Sequence, residues 1–391
     1  MQPVLAGTTL QCCPSARMHV RPVKEQRLST AAKAEEEQTF FEEDRDQPIP
    51  PENVVAYNEL RSCADLHRMH ASGKLEIQPD FQRDVVWKIE EQARFIDSLV
   101  KQLPIPSMCF SLDANSKTWK VIDGLQRMHT ITSFLGTAEW RIAPADDIHP
   151  LLKGKKNVQL RTGSEEEQKL YASVEDISIP ITVIRCDYAN PAHMRYLFTI
   201  FNRLNSGGVR LNNQEIRNCI YSGSFNDMLK LVDRSHKPWH LVHRRIWGKM
   251  DRFRSVEILL RMLAFSTWLD KYQGNLAGFL NDYMLFASKS TNEDLAQLQA
   301  TLEKSTALAA RVVDSLGSGK RSLTFMEGIL VGVAANLSTA PLPSSADAVT
   351  WAKERAERFR NLPTFSAGAR YALSSAQTVK ERLQAAIAAF A

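Results

Sequence analysis

Extended apolar runs are scarce in this 391-residue chain. The best candidate, Phe325 to Leu337, is short and interrupted by Glu327, so it reads as a buried helix rather than a membrane span. Cysteine is sparse too. Cys12, Cys13, Cys63, Cys109, Cys186 and Cys219 include no Cys-x-x-Cys pair, which argues against a zinc ribbon or a disulfide framework and fits a reduced, cytoplasmic chain. Cys109 and Cys186 sit in apolar, strand-like runs, where an inert buried thiol is expected. No basic segment leads into an apolar core near residue 1, so no secretory signal is expected. Neither a His-Asn-His nuclease motif nor a Walker phosphate loop is visible. Neither sign of charge dominates: a formal net charge of +5 permits a nucleotide or nucleic-acid partner without demanding one. Hydrophobic residues make up an ordinary 44%, enough for a sizeable core in one large domain or two smaller ones.

What the chain does contain is an informative stretch from Lys120 to Leu135. Thr118 to Ile122 is β-branched and aromatic and reads as a strand, while Met128, Ile131, Phe134 and Leu135 recur at helical spacing. Asp123-Gly124 lies between, with glycine where the chain must turn sharply. Asp123 is therefore expected at a strand end, and Gln126 and Arg127 in the first turn of a helix. Such a turn presents unpaired N–H groups and a positive dipole end, which attract anions. The Arg127 guanidinium adds a planar fork suited to phosphate oxygens. Asp123 would accept from a ribose hydroxyl, hold a phosphate-bound metal or orient a water. These features describe a nucleotide phosphate site. The same spacing equally fits a plain strand-turn-helix in which Asp123 caps the helix and Arg127 pairs with it.

The segment Asp123-Gly124-Leu125-Gln126-Arg127 resembles the Asp-Gly-Gln-Gln-Arg signature of the GmrSD-type restriction endonuclease N-terminal domain, a family related to the ParB/sulfiredoxin-like fold. Pro79 to Trp87, containing Phe81, Gln82 and Arg83, is similar to its Pro-x-Tyr/Phe-Gln-Arg block. Leu103-Pro104-Ile105-Pro106 and Phe201 to Gly208, followed by Leu211 and Glu215, are similar as well, over about residues 60–290. The resemblance implies binding and hydrolysis of a nucleoside triphosphate in a system that restricts foreign DNA. It implies Mg²⁺ as cofactor, with Asp123 as metal ligand and Asp123, Gln126 and Arg127 as catalytic residues. Gln82, Arg83, Gly124, Asn205 and Glu215 would bind the nucleotide. The implied partners are the triphosphate, DNA and a separate nuclease subunit, with no membrane. One departure stands out: Leu125 replaces the first glutamine of the signature, which bears on hydrolysis more than on binding. The alternative is a nucleotide-responsive DNA-binding or adaptor protein without turnover.

Several residues also have ordinary readings. Arg83 fits an ion pair with Asp80 or Asp84, or stacking on Trp87. Phe81 and Trp87 read as core anchors. Asn212, with Glu215 three positions on, is a reciprocal helix cap. His236 to Lys249 is basic and aromatic, with Arg244, Arg245 and Lys249 as candidate nucleic-acid contacts and Trp239 or Trp247 as stacking platforms. Against this stand interior tryptophans with a basic rim. A metal reading of His236, His240 and His243 is disfavoured, because Pro238 disturbs helical spacing and no Cys or carboxylate sits at zinc-site spacing.

The expected fold is α+β: a small mixed ParB/sulfiredoxin-like sheet domain with helices, followed by an all-helical C-terminal domain. Residues 1–54 are expected to be a disordered N-terminal arm, 55–225 the ParB/sulfiredoxin-like nucleotide-binding domain and 226–391 the helical domain. Residues 140–180 read mainly as a loop. The strand Ile179 to Arg185 is expected near the strand carrying Asp123.

Overall fold

The structure, a computed structural model, describes residues 50–77, 87–204, 211–246, 253–319, 321–365 and 375–391. Five strands form one mixed sheet: β1 (Val55–Ser62), β2 (Leu75–Glu76), β3 (Met108–Asp113), β4 (Trp119–Asp123) and β5 (Ser178–Cys186), in the order β1-β5-β3-β4-β2. Strands β3 and β4 form a hairpin, antiparallel and joined through residues 114–118, and β4 is the strand expected at Thr118 to Ile122. In register, Asp123 lies opposite Cys109, Cys109 opposite Thr182, and Thr182 opposite Asn58.

Alternation along the strands sends side chains to two apolar layers. Met108, Phe110, Val121, Ile181 and Val183 join the core beneath helices α1 (Cys63–Ala71), α2 (Ile89–Val100), α3 (Leu125–Leu135), α4 (Asn157–Thr162) and α5 (Glu165–Asp176). Cys109, Ile122, Ile184 and Cys186 join the opposite layer, which contains α6 (Pro191–Leu204) and α7 (Asn213–Ile220). Because helices cover both faces, the central strands are apolar almost throughout. The second layer runs without a break into the helices that follow, α8 (Ser224–Ser235), α9 (Lys237–Ile246), α10 (Arg254–Trp268), α11 (Leu276–Ala287), α12 (Asn292–Ser315), α13 (Leu323–Ala335), α14 (Asp347–Arg360) and α15 (Ala376–Phe390), as far as Phe390. No helix of the described residues is long and apolar enough to cross a membrane.

A chain of buried ion pairs crosses this second core. Arg217 on α7 meets Glu257 at 2.8 Å, Glu257 meets Arg261 at 2.7 Å, Arg261 meets Glu327 at 3.4 Å, and Glu327 meets Arg382 on α15 at 3.1 Å. Burial pushes the Glu257 carboxyl up, but the guanidinium groups of Arg261 and Arg217 outweigh it and bring it down to about 2.

Four expectations need correction. Residues 140–180 contain two helices, α4 and α5. Glu165, Glu166 and Glu167 occupy the first turn of α5, where carboxylates favour the dipole. Ser164 and Glu167 cap one another, at 3.3 Å and 2.8 Å, while Leu160, Tyr171 and Val174 are buried. Second, β5 is separated from β4 by β3. It pairs in parallel with β3, which requires a long crossover, and α3 to α5 provide it. Third, β1 supplies an edge strand and α8 an additional helix, neither of which the sequence reading located. Fourth, Pro238 does not disturb α9. It lies in the first turn, where its missing N–H has no intrahelical acceptor to lose.

Candidate functional site

At the end of β4 the backbone passes Asp123 and turns through Gly124, whose φ is +95°. A side chain at this position would be strained, and its Cβ would lie 2.6 Å from Cγ of Met108. Glycine therefore serves both the turn and the close approach of β3. Helix α3 starts immediately afterwards, with no side-chain cap on its N-terminus. Gly124 itself thus offers no side chain to the first-turn N–H groups.

Arg127 lies one turn into α3 and folds back over this end. Its Nη2 donates to Asp123 Oδ2 at 2.8 Å and to the Ser107 carbonyl at 3.4 Å, and its Nη1 donates to the Pro106 carbonyl. Burial draws the guanidinium below its usual range, while the Asp123 carboxylate opposes that shift. The pairing half of the plain strand-turn-helix reading is therefore present, although the capping position belongs to Gly124. Gln126 Oε1 accepts from the backbone N–H of Trp87 at 3.1 Å. Gln92 Nε2 donates to the Trp87 carbonyl at 3.1 Å, and the Trp87 ring sits edge-on to Phe95 at 5.4 Å, so Trp87 is the anchor it was expected to be.

Beside Asp123 opens a cleft of about 470 Å³ whose walls include Met108, Thr182, Ile184, Tyr196 and Ile200. Cys109 also lines it, but burial, reinforced by the Asp123 charge, pushes its thiol up to about 12. It therefore stays protonated and is no nucleophile at neutral pH.

The structure thus brings Asp123, Gly124, Gln126 and Arg127 together. Gln82, Arg83, Asn205 and Lys249 lie outside the described residues, as do Phe81 and Trp247. Glu215 is buried in the reciprocal cap of α7. Its Oε2 accepts from the Asn212 N–H at 2.7 Å, and its own N–H donates to Asn212 Oδ1 at 2.9 Å. Arg244 and Arg245 lie on α9, which packs mainly against α12 rather than on the sheet. Arg244 is exposed, with Nε donating to the His240 carbonyl at 3.2 Å. Arg245 is partly engaged, donating to the Gly317 carbonyl at 3.0 Å and lying 3.6 Å from Asp314. Trp239 cannot stack on a base: it is fully buried, and its Nε1–H donates to Asp233 at 2.8 Å.

Among the described residues no three His, Cys, Asp or Glu side chains converge as a metal cage. Asp123 is the one carboxylate among the described residues lining the cleft, and Arg127 takes one of its oxygens. This donor set does not fit a resident metal. It fits one contact to a divalent ion whose other ligands are phosphate oxygens and water.

Sequence reasoning missed the cleft walls. Tyr196, Ile200 and Leu204 recur every four residues on α6, offset from the buried stripe of Met194, Leu197, Phe198 and Phe201. That second stripe was the available signal.

A mixed-sheet domain with an Asp-Gly turn into an uncapped helix, and an arginine one turn inside it, is the class that fold and site define. Residues 64–222 match the family described as GmrSD restriction endonuclease, N-terminal domain, and the chain thus carries a domain of that family. Membership sets a restriction or defence context for the domain. No curated protein matches the chain.

Proposed function

We propose that the domain binds a nucleoside triphosphate at the β4–α3 turn. The observation that carries this reading is the Asp123–Arg127 pair, 2.8 Å apart at an uncapped helix N-terminus and at the mouth of a cleft. Helix N–H groups and a guanidinium suit phosphate oxygens. For Arg127 to reach a phosphate, it must give up its contacts to the Pro106 and Ser107 carbonyls. The phosphate would then replace acceptors that are already in place. Mg²⁺ would enter with the triphosphate, and Asp123 would hold it there by a single carboxylate contact. Its chemistry would be to neutralise charge on the phosphates.

In hydrolysis Asp123 would also orient water, and Arg127 would stabilise charge on the transferred group, since phosphoryl transfer depends mainly on positioning and electrostatics. A second reading, binding without turnover, is favoured by one specific observation. Gln126 has its amide oxygen engaged by Trp87, and Leu125 has no amide at all. Phosphate release from ATP, GTP, CTP and UTP separates the two. Release abolished by Asp123→Ala supports hydrolysis, whereas saturable binding with no release supports the second reading. No binding of any triphosphate overturns both. We further propose that α9 contacts DNA through Arg244, and that a separate nuclease subunit cuts it. Arg245 would add to that contact, as would Lys249, which lies outside the described residues.

A further inference from the structure

We propose that the cleft beside Asp123 seats the base of the nucleotide, so that the ligand is a nucleoside triphosphate in preference to a bare polyphosphate. This rests on the reading of the β4–α3 turn given above. The cleft is lined by apolar side chains from two elements. One set is the α6 stripe of Tyr196, Ile200 and Leu204, and the other is Ala56 and Ile184, register partners on the sheet. Leu204 is 47% exposed, and Tyr196 and Ile200 are only half-buried, although their neighbours Leu197 and Phe201 are fully covered. Apolar side chains lining an open cleft forgo about 25 cal/mol for each Å² left in water. An apolar, flat occupant would recover that energy, and 470 Å³ falls within the range of small-molecule sites.

The polar groups of the floor narrow the chemistry further. Ser107 Oγ and Thr182 Oγ1 lie 3.1 Å apart, and Thr182 Oγ1 donates to Asn58 Oδ1 at 2.9 Å. These hydroxyls are spent on one another, and no lysine or arginine is among the lining residues described. The interior therefore suits a neutral ring, and the Tyr196 side chain offers it an aromatic surface. Charge is confined to the Asp123 end, where Arg127 sits. A ligand that is flat and neutral at one end and multiply anionic at the other matches both halves.

The test is calorimetric titration of the full chain, in Mg²⁺, with the four common nucleoside triphosphates and with inorganic tripolyphosphate. At least one nucleoside triphosphate is expected to bind tenfold or more tightly than tripolyphosphate. Tyr196→Ala and Ile200→Gln, neither of which adds charge, are expected to erase that advantage while leaving tripolyphosphate affinity within twofold. Tyr196→Leu, which preserves bulk, serves if either variant fails to fold. Equal binding of all ligands to the unaltered chain overturns the inference, as does a full advantage retained in folded variants. If tripolyphosphate binding is present and lost in Arg127→Ala but the nucleosides add nothing, only the base seat fails. If no phosphate ligand binds, the nucleotide reading fails with it.

Discussion

Gly124→Ala tests whether the β4–α3 turn is built as described. The substitution adds one carbon at a position with φ of +95°, and this carbon meets Met108 Cγ at 2.6 Å, Sδ at 2.8 Å and Cβ at 3.1 Å. Left-handed backbone costs an L-residue about 1–2 kcal/mol. Carbon atoms prefer separations of about 3.5–4.0 Å, so the overlap is near 1 Å, and such overpacking costs about 1–3 kcal/mol. Met108 is fully buried and has little room to retreat. The expected loss is about 2–5 kcal/mol, measured by urea denaturation followed by circular dichroism and read from the midpoint at constant slope. A double-mutant cycle with Met108→Ala separates the two parts. Met108→Ala alone costs about 2–5 kcal/mol through its cavity. With Cγ and Sδ gone the two worst overlaps disappear, leaving the 3.1 Å approach to Cβ and the backbone strain, so the double variant should fall short of the sum by about 1–3 kcal/mol. Additivity within about 0.5 kcal/mol would refute the close approach of β3 to the turn.

Other outcomes follow from the same coordinates. Glu257 has a folded-state carboxyl pKa of about 2, below its usual 4.5, so its contribution is complete above pH 4.5 and is lost as pH falls towards 2. Glu257→Gln should cost about 3–5 kcal/mol at neutral pH and flatten that acid-side decline, and parallel acid-denaturation curves for the two proteins would contradict it. Trp239→Phe strands the buried Asp233 carboxylate and should cost about 1–3 kcal/mol, with an unchanged melting temperature as the adverse result. If α9 meets DNA, Arg244→Ala should reduce the slope of log affinity against log salt by about 0.9 in a gel-shift series, whereas an unaltered slope removes that contact. Asp123→Ala and Arg127→Ala should couple by about 1 kcal/mol in the absence of nucleotide, since the pair is only partly covered by solvent-free surroundings.

Much of the local structure was legible because it is written in short-range pattern. The β-branched and aromatic run at residues 118–122 and the glycine at 124 mark the strand and the turn. Asn212 and Glu215 mark a helix start, and their reciprocal hydrogen bonds form as read. The apolar run Phe325 to Leu337, read as a buried helix, falls largely within α13. Where charge was taken as a sign of loop, at Glu165 to Glu167, the reading failed because first-turn glutamates are themselves a helix signal. Trp239 was ambiguous since a basic helix face and a buried tryptophan coexist on α9 without contradiction.

Local periodicity, turn chemistry and the Asp-Gly-x-x-Arg spacing were enough to put an acidic strand tip and an arginine on adjoining elements, because neighbours in sequence stay neighbours after folding. Folding added the partners that come from far along the chain. It gave Arg127 to the carbonyls of Pro106 and Ser107, gave Gln126 to Trp87, inserted β3 between β4 and β5, and brought Tyr196 and Ile200 to the same cleft as Ile184. Such contacts depend on which of several compatible strand orders and helix faces buries the most apolar surface with every buried polar group satisfied. That is a property of the whole packed chain, and no window of sequence contains it.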